Sequence, residues 1–273
     1  MFVISFASCK GGAGKTTLST HFSYFLAQKG FKVLHLDMDY QSASTYFFKE
    51  PEQNISVNNI TKLFQKFPPA KSTVMELIYS SRYKDIDYIP STPLFADIED
   101  EITMLRDWNR RLEPIVQSVG DIYNFLVIDC PPSKGKVIKN IFQISNAIII
   151  PMEADRLGFD GMQLTLNEIA ENNEFRKYEN RQLLKTAGIA FNLVEKNTII
   201  NSTYMEEIRM MYKELVLTNA LPKLVAYRQA LSVLKTVFET KEWQPAAIKM
   251  EYLFTELTER LTTMIISQED TNV

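Results

Sequence analysis

A chain of 273 residues, 45% of them hydrophobic, is long enough to bury a substantial core, and length alone does not require two domains. Its formal charge of −3 places it outside the strongly basic and strongly acidic classes, and no apolar run is long enough to span a bilayer. The two cysteines, Cys9 and Cys130, form no C-x-x-C pair and are too few for an iron–sulfur cluster, so we expect free thiols at tight turns of a cytoplasmic protein.

The first apolar stretch, about residues 2–8, reads as a buried strand, and Leu18 to Gln28 reads as a helix. Between them stands Cys-Lys-Gly-Gly-Ala-Gly-Lys-Thr-Thr, residues 9–17. The ordinary phosphate-loop pattern, G-x-x-x-x-G-K-[ST], asks for glycine where this chain has Cys9. What remains is KGGxGK[ST], with Lys10 as an added charge. Gly11, Gly12 and Gly14 can take dihedrals closed to other residues and turn successive N–H groups around Ala13 toward one anion. The helix N-terminus faces the same point. Lys15 is expected to reach the β and γ phosphates of a nucleotide, and the Thr16 hydroxyl to help hold Mg²⁺.

Next comes a strand at 32–37, KVLHLD, followed by Met38, a second carboxylate at Asp39, and then Tyr40 and Gln41. Residues 50–85 carry the turn signals Phe67-Pro68-Pro69 and Ser80-Ser81 with short helical patterns between them, which predicts a peripheral helical excursion from a single domain spanning 1–273. A strand at 86–90 precedes a long helix expected from Phe95 to about Val119, with Ile98, Ile102, Leu105 and Leu112 on one side and the aromatic Phe95 and Trp108 used for packing. The segment NFLVIDCPPS gives a strand at 125–129 ending in Asp129 and a Pro-Pro turn. Further strands are expected at 146–151 and 184–193, and a last helix at about 246–266 with Leu253, Leu257, Leu261 and Ile265 at four-residue spacing. The lone His21 and His35 lack partners at metal-ligand spacing and read as structural.

Alternating strands and helices predict an α/β fold, a mostly parallel central sheet with helices on both faces. Ligands bind at the carboxyl ends of such strands. Asp129 therefore reads as the carboxylate near Mg²⁺, through water, and Asp39 as the group that positions an attacking water.

KGGAGKTT, LDMDYQSAST and VIDCPPS together make the chain resemble the ParA/MinD-type deviant Walker ATPases, a P-loop NTPase architecture, and most closely the short ParA branch of plasmid and chromosome partition ATPases. IDYIPSTPLFADIEDEI, AIIIPMEADRLGFDGMQ and GIAFNLV continue the similarity, which runs from residue 1 to about 240. The resemblance implies an ATP- and Mg²⁺-using enzyme that forms a homodimer in its ATP state. Lys10 then crosses to the other subunit's phosphates; Lys15, Thr16 and Thr17 hold phosphate and Mg²⁺ in their own subunit; Asp39 serves hydrolysis; and Asn192 and Pro151 lie near the adenine. Tyr40 stands where the family usually has proline, which puts the stiffness of that loop in doubt.

The resemblance also implies a nucleoid-associated protein that binds non-specific DNA and answers to a ParB-like adaptor. Residues 181–241 hold nine Lys or Arg against five Glu, whereas 242–273 hold two against six acidic residues, so the candidate DNA contacts are Lys196, Arg209, Lys213, Lys223, Arg228 and Lys235. Two rivals share the loop. A MinD-like positioning ATPase needs a basic amphipathic terminus, unlike the acidic Ser267 to Val273, so no membrane partner is expected. An ATP-dependent synthetase needs an organic acceptor pocket that no motif marks. With the first strand at residue 2, no N-terminal helix-turn-helix is expected, nor operator binding of the chain's own.

Overall fold

Burial on both faces decides the architecture, because the apolar runs Phe2–Phe6 (β1), Val33–Asp37 (β2) and Phe125–Asp129 (β5) are buried at every position and can only be interior strands. The structure, a computed structural model, describes residues 1–65, 69–102, 105, 107–195 and 199–269. In chain order, β1 is followed by α1 (Lys15–Gln28), β2, α2 (Ala43–Phe48), α3 (Thr61–Gln65) and α4 (Lys71–Glu76). Then come β3 (Tyr79–Ser80), β4 (Ile86–Ile89), α5 (Ile98–Glu101), α6 (Glu113–Val119), β5, α7 (Lys136–Ile144), β6 (Ala147–Met152) and α8 (Arg156–Tyr178). The chain closes with β7 (Lys185–Phe191), α9 (Ile199–Tyr212), α10 (Val225–Ser232) and α11 (Gln244–Glu269).

One seven-stranded sheet runs β3-β4-β2-β5-β1-β6-β7, parallel throughout except for β3, which pairs antiparallel with β4. The expected mostly parallel sheet with helices on both faces is what the chain forms. Alternate residues feed two cores: Val3, Leu34, Leu36, Leu126 and Ile128 face one side, and Ile4, Phe6, Val33, Val127 and Ile149 the other. The first core is closed by Leu63 of α3, Val74 of α4, Ile115 of α6, Ile141 of α7, Met162 and Ile169 of α8 and Ile208 of α9. The second is closed by Leu18, Phe22 and Leu26 of α1, Phe47 and Phe48 of α2, Tyr227 of α10, and Leu253, Leu257 and Leu261 of α11. Ile265 packs against the same core, so the four-residue apolar spacing of the last helix faces its own sheet.

Both sheet edges are covered. Gln53 Nε2 donates to Ser80 O at 2.7 Å beside β3, and on the other side Leu217 N and Leu221 N donate to Ile189 O and Phe191 O of β7 at 2.9 Å. Gly188 allows that approach, since a Cβ there would lie 2.8 Å from Leu217 Cγ.

The long helix expected from Phe95 to Val119 is not formed. Its place is taken by a 3₁₀ turn Pro93–Asp97, α5, a 3₁₀ turn Trp108–Arg110 and α6, with Asp107 in the left-handed region at φ 54°. Pro114 is the reason at the far end: it lacks an N–H and sits in the first turn of α6, where a helix can start but not continue. Ile98, Ile102 and Leu112 are nevertheless fully buried, and Leu105 packs against the same core, so the apolar stripe was real while its continuity was not. Strand β3 had not been expected. The turn signal at Phe67-Pro68 and the candidate Lys196 lie outside the described residues.

Candidate active site

The loop after β1 is held by three features that the sequence dictates. Gly12 and Gly14 sit at φ 80° and 91°, and Gly14 N-caps α1, its carbonyl taking the Leu18 N–H at 2.9 Å. A Cβ on Gly14 would also stand 2.0 Å from Asn192 Nδ2, so glycine is demanded twice. Gly11 is exposed and has neither constraint, whereas Ala13 is fully buried and its carbonyl accepts from Asn192 Nδ2 at 2.9 Å. Cys9 N donates to Thr165 Oγ1 at 3.1 Å, which ties the front of the loop to α8.

Lys15 is 6% exposed and its ammonium donates to the Lys10 carbonyl at 3.2 Å, so the loop is wrapped around this cation. Burial lowers its pKa, against the pull of Asp129, Cys130 and Asp39. Asp37 and Asp129 end neighbouring strands in register and are both fully buried. Asp37 accepts from Thr45 N at 2.8 Å, Thr45 Oγ1 at 2.7 Å and Asp39 N at 3.0 Å, and thereby sets the turn that presents Asp39. Neither oxygen of Asp129 has a hydrogen-bond partner. Burial raises its pKa, the Asp37 carboxylate adds to the rise, and the neighbouring Thr16 hydroxyl and Lys15 oppose it without fully compensating. Asp39 is half-buried, and its carboxylate accepts the Gln41 N–H at 2.9 Å.

Lys10 turns away from this centre to the start of α8. Its Nζ lies 2.9 Å from Glu153 Oε1 and 3.4 Å from both oxygens of Asp155, and the helix passes so close that a Cβ on Gly161 would sit 3.0 Å from Lys10 Cβ. Desolvation works to lower the Lys10 pKa, but the hydrogen bond and charge of Glu153, helped by Asp155, outweigh it and raise it. Asp155 is shared: as N-cap of α8 it also accepts the Gly158 N–H at 2.6 Å. Glu153 and Asp155 escaped the sequence reading, although two carboxylates directly after an apolar strand were the available signal.

A cleft of about 150 Å³ is lined by Gly12, Gly14, Thr17, Asn192, Leu224, Tyr227, Arg228 and Lys223. It brings together the expected Thr17 and Asn192, the latter 3% exposed. Pro151 is not in it; this residue is buried inside β6, paired in register with Ala190. Lys223 and Arg228, expected as DNA contacts, are exposed and line this cleft, and Lys223 also pairs with Glu195 at 2.5 Å. Arg209 lies over the Phe191 ring at 5.5 Å and donates to Thr218 O, while Lys213 and Lys235 are exposed. A second cleft, of about 200 Å³, is formed by Met38, Tyr40, Phe95, Pro131, Pro132 and Ser133 beside the Asp39 turn. His21 and His35 are fully buried, and the described residues contain no cluster of potential metal ligands.

A family profile described as AAA domain matches residues 1–185. The chain is 30% identical to an uncharacterized protein of Methanocaldococcus jannaschii over 95% of this chain and 97% of that protein. The chain belongs to the AAA domain family. It is 24% identical to the chromosome partitioning protein ParA of Myxococcus xanthus over 86% of this chain and 80% of that one. The solved ATP complex of a McdA variant from Cyanothece superposes with a TM-score of 0.82 at 18% identity, covering 96% of both chains, which shows the shared fold. This is a ParA/MinD-type ATPase. In this ATPase the loop, the Asp37–Asp129 pair and the Asp39 turn converge on the carboxyl edge of the sheet, as the fold requires of a nucleotide site.

Proposed function

We propose that the chain is a single-domain partition ATPase, spanning 1–273, that dimerises on ATP, binds non-specific DNA as the dimer and is released through hydrolysis stimulated by a ParB-like adaptor. The observation that carries the reading is Lys10: a second lysine in the loop, its side chain on the flank of α8 and reaching none of the centre that Lys15 occupies. In this reading the cation leaves Glu153 and Asp155 for a second subunit's phosphates.

ATP lies along the loop in this reading, its phosphates on the Gly11-to-Gly14 backbone and Lys15, its adenine side toward Asn192. Thr17 closes the phosphate end of the same cleft. Lys15 is already desolvated, so its charge acts strongly on phosphate oxygens. Asp39, presented by the Asp37-anchored turn, orients the attacking water. The residues fit a magnesium ion: Asp129 has two buried, unpartnered carboxylate oxygens beside the Thr16 hydroxyl, the hard oxygen set that a hydrated Mg²⁺ takes. Thr16 would bind it directly and Asp129 through water, and the ion would neutralise charge between the β and γ phosphates. Asp129 would then carry its buried charge at less cost.

DNA attraction is assigned to the exposed basic residues of the later half, of which Lys213 and Lys235 are the freest in this structure. Membrane attachment through the last helix has less support, because Leu253, Leu257 and Leu261 are consumed by the core, and no described helix is long and apolar enough to cross a bilayer. DNA mobility shifts with ATP, ADP or no nucleotide across a salt series test the reading. ATP-selective shifts that fade with salt support it, and shifts absent under all conditions refute it. Multiple turnover of ATP without an organic acceptor separates it from a synthetase.

A further inference from the structure

Between α7 and α8 lies a cleft of about 280 Å³ that the nucleotide chemistry does not use. Its floor is one stripe of α8: Glu168, Glu171, Asn172 and Phe175 fall at i, i+3, i+4 and i+7 and so share a helix face. Lys139 and Gln143 line it from α7, and Trp108 closes one end. Two acceptors there are unused. Asn172 is 7% exposed and its Oδ1 has no hydrogen-bond partner, and Glu168 Oε2 is buried and equally unpartnered. A buried acceptor without a donor is costly, and the cost is greater for a carboxylate. A space several times the roughly 30 Å³ share of one water leaves room for more than solvent repair.

The lining selects the ligand. Both orphans are acceptors, which calls for a donor; one of them is a carboxylate oxygen, Glu168 Oε2, buried without a hydrogen-bond partner, which calls for a charged donor. Trp108 and the half-exposed Phe175 add aromatic surface, and Trp108 already carries one cation, Lys136 Nζ at 5.5 Å. Acceptors one helical turn apart beside flat rings suit a planar fork of donors better than a compact ammonium. We propose that this cleft is a second binding site, specific for a guanidinium group, with Asn172 and Glu168 accepting its N–H donors. The group can arrive on a free small molecule or on an arginine of a partner chain.

Tryptophan fluorescence tests this, because the chain has two tryptophans and the other, Trp243, is buried in the opposite core. The probes are N-acetyl-argininamide and a short arginine-containing peptide, each beside its neutral citrulline counterpart. Arginine probes should shift the wild-type emission saturably, Trp108→Phe should abolish the shift, and citrulline should bind at least about tenfold more weakly. Asn172→Leu should weaken arginine binding by about tenfold and Asn172→Asp should tighten it, with ATP hydrolysis unchanged in both as proof of folding. Response to both arginine probes indicates a small-molecule ligand, and response to the peptide alone indicates a partner chain. Equal response to arginine and citrulline, no response to either, or indifference to both Asn172 substitutions in folded protein would overturn the assignment.

Discussion

Gly14 shows how much one residue can be asked to do, since its left-handed backbone and the Asn192 amide pressed against it are separate demands. Gly14→Ala is expected to destabilise the fold by about 1–3 kcal/mol and to push Asn192 off the Ala13 carbonyl. A urea titration checks the first effect and nucleotide titration the second; wild-type values in both would contradict the geometry. Lys15→Ala removes a buried charge from the phosphate site and should weaken ATP binding by about 10–100-fold. Asp39→Asn should bind ATP normally yet hydrolyse it at least about 100-fold more slowly, because Asp39 touches neither the loop nor the Asp37–Asp129 floor except through its own backbone. Measuring binding and turnover on the same preparations separates the two roles, and loss of ATP binding by the Asp39 variant would reassign it. The loop residues were legible because glycine and lysine at fixed spacing have few other uses. Glu153 and Asp155 were not, because nothing local says that a carboxylate will face a lysine more than 140 positions earlier; that proximity exists only once β1 and β6 pair.

At the scale of elements, all six expected strands begin and end within two residues of the observed ones, since runs buried on both faces leave little choice. The two-residue β3 has no such run; Tyr79 and Ser80 pair with β4 because the preceding segment delivers them there. The broken helix at 95–119 is the opposite error: periodicity survived in Ile98, Ile102 and Leu112, and Pro114 was the warning. The histidines join elements. His21 of α1 donates from Nδ1 to Thr17 O at 2.7 Å and accepts the Val237 N–H on Nε2 at 3.1 Å, which ties α1 to the segment before α11 only while the ring is neutral. Burial lowers its pKa to about 4, and that of His35 to about 3. An unfolded histidine titrates near 6.5, so between pH 6.5 and about 4 the unfolded chain takes up the proton first and stability falls with falling pH. The raised Asp37 and Asp129 act with the opposite sign in that window, so a difference measurement is required. His35→Gln should show a shallower loss of urea midpoint than wild type between pH 6.5 and 4. Parallel slopes would mean that His35 is not buried neutral.

Across the whole molecule, the sheet gathers the phosphate loop, the carboxylates and α8 on one edge, and in the proposed reading that convergence ties dimerisation to the nucleotide site. Exposed Lys213 and Lys235 predict DNA affinity that is weak in one subunit, stronger in a pair, and steeply lost as salt rises. Lys213→Glu with Lys235→Glu should abolish ATP-dependent shifts while leaving dimerisation intact; unchanged shifts would place the DNA surface elsewhere. In the proposed cycle Lys10 leaves Glu153 and Asp155 to complete a second subunit's site. Sedimentation velocity of the ATP-loaded chain, wild type beside Lys10→Ala, tests it most directly. A dimer boundary is expected for the wild type and a monomer boundary for Lys10→Ala, even at ATP concentrations at which nucleotide titration shows both saturated. Dimers of equal abundance in the two proteins would contradict it.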